Sequence, residues 1–213
     1  MYFGLSEEQK SLEENIHRFL EDNASLDVIK AVANGESEKA QQVHQGIIDL
    51  GLSGLVVPEE YGGLELNMLF ATVVASALGS GTAPVPYAGS YVMAPIAINL
   101  GGDEQQKSNW LPKIAGGECV IGVGLSEYVG AREDSGIEFS NGKLSGRCLF
   151  LIDGKDADAY LLADKSGQLY LVDSSSSGIT VTELTTVDKT RTSIELVLDL
   201  SLIHISEPTR PVP

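Results

Sequence analysis

The sequence predicts an α+β protein, in which an N-terminal all-α helical domain is followed by a small antiparallel β-barrel or sandwich domain. Apolar residues recur at helical spacing over residues 1–117, whereas from Cys119 onward they alternate with polar residues. Gly, Asn, Asp and Ser separate the apolar runs of the second part, which is typical of strands joined by turns. We therefore place a helical domain at residues 1–117 and a β domain at residues 118–199.

The first two helices are predicted from caps and apolar stripes. Ser6 and Gln9 have the spacing of a capping box, in which each side chain bonds the other residue's backbone N–H. The stripe of that helix consists of Leu12, Ile16, Phe19 and Leu20. The stripe of the next helix consists of Ala40, Val43, Ile47 and Leu50. Gly51 follows it and is expected to end the helix in a left-handed conformation.

Three further helices and a set of short strands complete the prediction. PEEYGG at 58–63 and TAPVPY at 82–87 are predicted loops, because proline and glycine interrupt both. The helices run from the cap Asn67 to about Gly79, from about Ser90 to Leu100, and from the capping box Asp103–Gln106 to Gly116. The strands are expected at residues 119–126, 143–152, 159–164, 168–173, 179–184 and 194–199.

Composition excludes several classes of function. The net charge of −16, from 30 acidic and 14 basic residues, argues against binding nucleic acid or an anionic membrane. No apolar run reaches the ~18 residues of a membrane span, and the N-terminus lacks the features of a signal peptide, so we expect a cytoplasmic protein. Cys119 and Cys148 are expected to be reduced and buried. The three histidines show no metal-ligand spacing.

Six segments, taken in order, resemble the acyl-CoA dehydrogenase family. They are LSEEQ at 5–9, LGLSGLVVPEEYGG at 50–63, GDEQQKSNWLPKIAGGE at 102–118, GLSE at 124–127, NGKLSGRCLFLIDGKDADAYLLA at 141–163 and VDKTRTSIELVLD at 187–199. The resemblance implies a helical domain, a middle β domain and a C-terminal four-helix domain, of which the first two correspond to this sequence. It also implies FAD as cofactor, an acyl-CoA substrate, an electron-transfer flavoprotein or similar acceptor, and a homo- or hetero-oligomer.

The resemblance further implies the chemistry. A carboxylate removes the α-proton of the thioester while flavin N5 takes a hydride from Cβ. In the family that carboxylate belongs to the C-terminal domain, so no catalytic residue is carried over to this sequence. The adjacent pair Glu59 and Glu60 offers an acid and a base, but it is interpreted as part of a structural loop. Ser126 has no histidine or lysine placed to activate it, so a bond to the cofactor is the favoured role.

Four positions are implied to contact flavin, and one to contact substrate. Leu125 and Ser126 match the family segment that bonds the flavin pyrimidine edge, although Tyr128 replaces its proline. Arg132 is a candidate for a substrate phosphate, or else a loop charge. Where the family has Trp-Ile-Thr, this sequence has Phe150-Leu151-Ile152.

The Phe150 segment carries two open interpretations. Alternation places Cys148, Phe150 and Ile152 on one face, so that Phe150 packs on the flavin ring while Ile152, unlike threonine, donates no hydrogen bond. The alternative is a partner subunit of a heteromeric dehydrogenase that has lost its flavin contacts. A binding module without enzymatic activity is a third possibility that no independent feature supports. Asp188 and Arg191 are expected to hold a loop together, as an ion pair or through the cofactor.

The last 14 residues, 200–213, raise a separate question. LSLIHISEPTR at 200–210 resembles the translation of a sequencing-library adapter, which predicts a non-native tail. The alternative is a genuine disordered C-terminus. With the first interpretation, the 213-residue polypeptide is expected to be an inactive fragment of a dehydrogenase.

Overall fold

The computed structural model describes residues 4–125 and 135–199, and the α+β prediction is confirmed. Within these residues the helical part contains six α-helices: α1 (Glu7–Asn23), α2 (Leu26–Ala33), α3 (Ser37–Asp49), α4 (Met68–Ser80), α5 (Ala94–Gly101) and α6 (Glu104–Ala115). The helix α2 was not predicted, since it has only eight residues and no side-chain cap. The predicted tail at 200–213 lies outside the described residues.

The predicted caps form as expected. Ser6 Oγ accepts from the Gln9 N–H at 3.2 Å, while Gln9 Oε1 accepts from the Ser6 N–H at 3.0 Å. Asp103 and Gln106 make the same reciprocal pair at the start of α6. Gly51 follows α3 with φ of 76°, in the left-handed conformation that glycine adopts without steric cost. These bonds satisfy backbone donors that a helix start otherwise leaves unpaired.

The predicted apolar helix from about Ser90 to Leu100 is not one regular helix. Its first part is a π-helical turn, Tyr87–Met93, which continues directly into α5. Short π-helical segments are rare and frequently occur at functional sites. The sequence pattern could not show this change, because a π turn alters backbone hydrogen bonding without changing which residues are apolar.

The β part of the described chain is a mixed seven-stranded sheet. Its strands are β1 (Ile121–Gly124), β2 (Gly136–Ser140), β3 (Lys143–Ile152), β4 (Ala159–Ala163), β5 (Leu169–Asp173), β6 (Ile179–Leu184) and β7 (Ser193–Asp199). The order is β5-β4-β1-β3-β7-β6, with β2 also pairing β3. The β2 strand was not predicted, and β1 and β4 are parallel, with Ile121 opposite Ala159.

The sheet is buried on both faces where β1 and β4 run side by side. Ile121 and Val123 of β1 pack with the helices, whereas Tyr160 and Leu162 of β4 belong to a second cluster within the curved sheet. Parallel strands are usually covered on both faces in this way. The helices therefore pack directly on β1, which fixes their position relative to the sheet. The division of the chain at residues 117 and 118 stays a prediction.

A bulge in β3 overturns one prediction from alternation. The pairing of β3 with β7 shifts register between Cys148 and Leu151, and Phe150 has φ of 55°. As a result, Cys148 belongs to the apolar cluster of Tyr160 and Leu162 within the sheet. Ile152 instead packs against the helical cluster, which is the apolar core that the helices share with Ile121 and Val123. The expectation that Cys148 shares a face with Phe150 and Ile152 was therefore wrong, because a bulge interrupts the two-residue period.

Cys119 and Cys148 are both buried, and neither forms a disulfide. Burial raises the pKa of the Cys119 thiol to about 12, and the nearby Asp158 charge adds to the increase. Since only the thiolate is nucleophilic, the raised pKa and the burial of Cys119 both make this thiol unreactive in the folded chain. We expect no fast reaction of the folded chain with a chromogenic aromatic disulfide, and reaction of both thiols after unfolding in urea. A stoichiometric burst from the folded chain would contradict this burial.

In the two described segments, no helix is both long enough and apolar enough to cross a membrane.

Candidate functional site

The candidate site is the end of the β1/β3 pair that carries Leu125, Phe150 and Ile152, here called the β1/β3 face. Val123 of β1 pairs with Ile152 of β3 in the antiparallel register, so Leu125, which follows β1, lies toward the same end of the strand pair as Phe150. Leu125 and Ile152 are both half-buried and pack against the helical cluster. Leu125, Phe150 and Ile152 thus lie toward one end of this strand pair, and their role as site residues stays a prediction. Ser126 and Arg132 lie outside the described residues.

Phe150 is the unusual residue of this face. It is 51% exposed, although it lies between the buried residues Leu149 and Leu151. Its φ of 55° is a left-handed conformation that bulky residues rarely adopt, and such a conformation costs on the order of 1–3 kcal/mol. An exposed aromatic ring on a strained backbone is poor for stability alone, and such strain often occurs at functional sites.

Ile152 contacts the π-helical turn of the helical part. A Cβ atom built on Gly89 would lie 3.3 Å from Ile152 Cγ1 and 2.7 Å from Asp153 Oδ2. Only glycine therefore permits this close approach between the turn and the end of β3. Ser90, the next residue, is fully buried and its Oγ accepts from the Ile121 N–H at 2.9 Å. The turn is thus bonded to β1 and packed on β3 at the same time.

Asp153 connects three segments behind the β1/β3 face. Its side chain is only 5% exposed. One carboxylate oxygen accepts from the Gly89 N–H at 2.8 Å, and the other accepts from Arg191 Nη2 at 2.8 Å. The expected ion pair between Asp188 and Arg191 was therefore wrong, because Arg191 pairs with Asp153. Asp188 instead accepts from the N–H and the hydroxyl of Thr190, which lowers the Asp188 pKa.

A histidine and a tyrosine lie next to this group. His44 Nε2 and the Tyr91 hydroxyl are 2.6 Å apart, which joins α3 to the π-helical turn. Burial lowers the pKa of His44, and the charge of Asp153 offsets part of that effect. Burial also raises the pKa of Tyr91, so both groups are neutral at pH 7. The pair behaves as a hydrogen bond without charge, and we assign it no catalytic role.

A cavity of about 720 Å³ lies between α2, α3 and the loops that follow β3 and β6. His44, Asp153 and Arg191 line it together with the ion pair of Lys155 and Glu183. Its charged side chains are of both signs and are largely paired with one another, so it offers no concentrated charge for an anionic or cationic ligand. Glu59 and Glu60 lie in a separate exposed 3₁₀ turn, consistent with their interpretation as a structural loop.

Gly89 and Asp153, which join the π-helical turn to the end of β3, were not identified from the sequence. Asp153 had a weak signal, because Asp-Gly after an apolar run indicates a turn. Gly89 had none, since one glycine in an apolar segment does not show which residue approaches it. Both depend on contacts between positions 64 residues apart.

The residues of the β1/β3 face fit a flat aromatic group in part. The exposed Phe150 ring offers a flat face on which a planar ring system can stack, and the side chains of Leu125 and Ile152 are apolar and half-buried. None of these three side chains has a hydrogen-bond donor. Binding there would depend on apolar contact and on backbone groups.

Comparison with known sequences and structures found several similar proteins. The family model described as acyl-CoA dehydrogenase, N-terminal domain, matches residues 6–118. The mitochondrial isovaleryl-CoA dehydrogenase of Bos taurus is 25% identical over 171 residues, which cover 76% of this chain. That match spans only 40% of the bovine protein's own length.

Two solved structures share the fold. The acyl-CoA dehydrogenase complexed with FAD from Bacillus anthracis has a TM-score of 0.79 at 21% identity, and the match covers 96% of this chain and 37% of that one. The ChsE4-ChsE5 complex from Mycobacterium tuberculosis has a TM-score of 0.83 at 23% identity, covering 98% of this chain and 58% of the matched one. At these identities, the structural likeness shows the fold alone.

Proposed function

This chain belongs to the acyl-CoA dehydrogenase family, and from that premise we propose that it supplies the helical and β domains of a flavin-dependent enzyme. The reaction proposed is oxidation of the Cα–Cβ bond of an acyl-CoA thioester, with FAD as cofactor. The observation that carries the proposal is the half-exposed Phe150 ring, held on a strained backbone. An aromatic surface exposed in this way is suited to a planar ring system.

The β1/β3 face has the role of holding and orienting the cofactor. When bound, FAD supplies the redox chemistry by accepting the hydride that leaves the substrate. With FAD bound, Phe150 would pack against the ring system, and Leu125 and Ile152 would keep water from one side of it. The π-helical turn sets the position of Ile152 through its contact at Gly89. We assign the α-proton to no residue of this chain.

The remaining assignments rest on the family resemblance. Ser126 is proposed to bond the flavin through its hydroxyl, and Arg132 to contact a phosphate of the substrate. An electron-transfer flavoprotein or a similar acceptor is the proposed redox partner, and a homo- or hetero-oligomer the proposed assembly.

A second candidate function is that of a cofactor-poor partner subunit in a heteromeric dehydrogenase. The observation that favours it is Ile152, which offers no hydrogen bond at a position where the family has threonine. The fold of this chain matches that of one chain in the ChsE4-ChsE5 complex, an assembly of two different proteins. Such a subunit would retain the fold and bind flavin weakly or only with its partner.

An FAD titration separates the two functions. We expect the 213-residue chain to quench flavin fluorescence in a saturable manner, with no turnover when acyl-CoA thioesters and an electron acceptor are added. We expect turnover once the complete acyl-CoA dehydrogenase domain set is present. Absence of saturable quenching by the chain alone, with quenching restored by a co-expressed partner, would support the partner-subunit function instead.

A substitution at position 152 that should increase FAD affinity tests whether this residue contacts the cofactor. Ile152→Thr introduces a hydroxyl donor on the β1/β3 face, and Ile152→Val is the matched control with the same shape. One added hydrogen bond contributes roughly 0.5–1.5 kcal/mol, so the threonine variant should bind FAD about 2- to 10-fold more tightly than the valine variant. Equal dissociation constants for the two variants would place position 152 away from the flavin.

A further inference from the structure

The carboxylate of Asp153 is almost completely removed from solvent, yet it is fully partnered. Its two oxygens accept from two different segments: Gly89 of the π-helical turn and Arg191 of the loop between β6 and β7. The Asp153 side chain is 5% exposed, whereas Arg191 is 39% exposed. Hydrogen bonds to a charged group are stronger and shorter than neutral ones, so this carboxylate fixes three segments relative to one another.

Asp153 is close in sequence to two residues of the β1/β3 face, so its hydrogen bonds also constrain the backbone of that face. Asp153 directly follows Ile152 and is three residues from Phe150. Phe150 and Asp153 both have φ of 55°, so the segment 150–153 begins and ends with a residue in the left-handed conformation. Left-handed conformations of non-glycine residues persist only where surrounding contacts hold them. The bonds of Asp153 hold one end of this segment.

Gly89 makes the same contact from the other side. A side chain at position 89 would meet Asp153 Oδ2 at 2.7 Å and Ile152 Cγ1 at 3.3 Å. The N–H of Gly89 therefore reaches the carboxylate only because no Cβ is present. The Gly89–Asp153 bond therefore joins the turn to the residue that directly follows Ile152.

We propose that Asp153 is a positioning residue for the cofactor site. It holds the side chains of Phe150 and Ile152 in the position and orientation in which they contact the flavin ring. The proposal rests on the proposed function. Asp153 does not touch the ring; it acts through the backbone of residues 150–152. The opposing hypothesis is that Asp153 joins the two parts of the chain and affects only their overall stability.

The test compares four variants of the 213-residue chain. Asp153→Ala removes both bonds, whereas Asp153→Asn keeps an oxygen that can accept from Gly89. Asp156→Ala is the matched control for the backbone, because Asp156 lies in the same turn with φ of 58° but is exposed. Ser53→Ala is the control for stability: it removes a bond from a fully buried hydroxyl to the Ala115 carbonyl, inside the helical part.

Two measurements are made on each variant. Amide hydrogen exchange at residues 150–152 is followed without FAD, with β5 as an internal reference. The dissociation constant and the visible absorption spectrum are then recorded with FAD itself as the probe. For Asp153→Ala we expect exchange at 150–152 to rise by about 10-fold or more, FAD affinity to fall by about 10-fold, and the bound spectrum to shift. Asp153→Asn should recover part of each loss.

The outcomes separate this inference from the proposed function. The first outcome is that Asp153→Ala and Ser53→Ala lower the melting temperature equally and also have the same FAD affinity and the same bound spectrum. In that case Asp153 contributes only to stability, and the inference fails. If the parent chain binds FAD but exchange at 150–152 is unchanged in both Asp153 variants, the inference fails and the proposed function stands. If the parent chain binds no FAD while exchange rises only in the Asp153 variants, the positioning of residues 150–152 stands and the proposed function fails.

Discussion

Replacing Phe150 with glycine is expected to weaken FAD binding by about 10- to 100-fold while leaving the free energy of unfolding within about 1 kcal/mol of the parent. Stacking of a flat heteroaromatic ring on an aromatic side chain contributes roughly 1–3 kcal/mol, and glycine removes it. Glycine also adopts φ of 55° without steric cost, which offsets the entropy that a flexible residue loses on folding. Fluorescence quenching gives the first quantity and urea unfolding the second.

Phe139→Gly is the matched control for Phe150→Gly. Phe139 is another partly exposed aromatic residue of the sheet, on β2, and its ring contacts Tyr170 at a centroid distance of 5.8 Å. It has no place in the β1/β3 face, so its replacement should reduce stability and leave FAD affinity unchanged. An equal loss of affinity in the two variants would mean that Phe150 has no specific role.

Replacing Gly63 with alanine is expected to destabilise the chain by about 3 kcal/mol, one of the largest effects of a single methyl group. A Cβ on Gly63 would overlap the carbonyl oxygen of Val57. That carbonyl already accepts from the Glu65 N–H at 2.9 Å, and the Gly63 N–H donates to Pro58 at 3.1 Å. Because the overlap is with hydrogen-bonded backbone, no side-chain rotation relieves it.

Gly79→Ala provides the control for Gly63→Ala. Gly79 lies near the end of α4, and a Cβ there would meet no atom within 4 Å. Alanine has the higher helix propensity, so this change should stabilise the chain by about 0.5–1 kcal/mol. Chemical unfolding of both variants measures the two changes. A Gly63→Ala variant as stable as the parent would show that the 54–57 and 63–66 segments are less tightly joined than the hydrogen bonds indicate.

Local signals account for the helices that the sequence predicted correctly. The two capping boxes and the Asn67 cap each act within three residues, so the information lies in the sequence around them. The missed helix α2 has no side-chain cap, and the missed strand β2 begins beside residues 126–134, where no apolar run marks a boundary. Elements with weak local signals form because the remaining structure packs against them.

The candidate site likewise combines features that the sequence predicted with features that it did not. Leu125, Phe150 and Ile152 were identified from the order of motifs along the chain, and the register of β1 with β3 brings them to one end of the sheet. The orientation of Phe150 was not predictable, because alternation continues through a strand in a sequence pattern but not through a bulge. The bulge follows from the pairing of β3 with β7, which a local pattern does not contain.

The sequence by itself determined the division into helices and strands, the caps and the family, since each depends on residues close together in the chain or on their order. The tertiary structure alone decided that Asp153 meets Gly89 and Arg191, that the helix at residue 87 begins as a π turn, and that Phe150 is exposed on a strained backbone. The physical reason is that these features arise from contacts between residues tens of positions apart. The free energy of such a contact depends on burial and close approach, and no local pattern records either one.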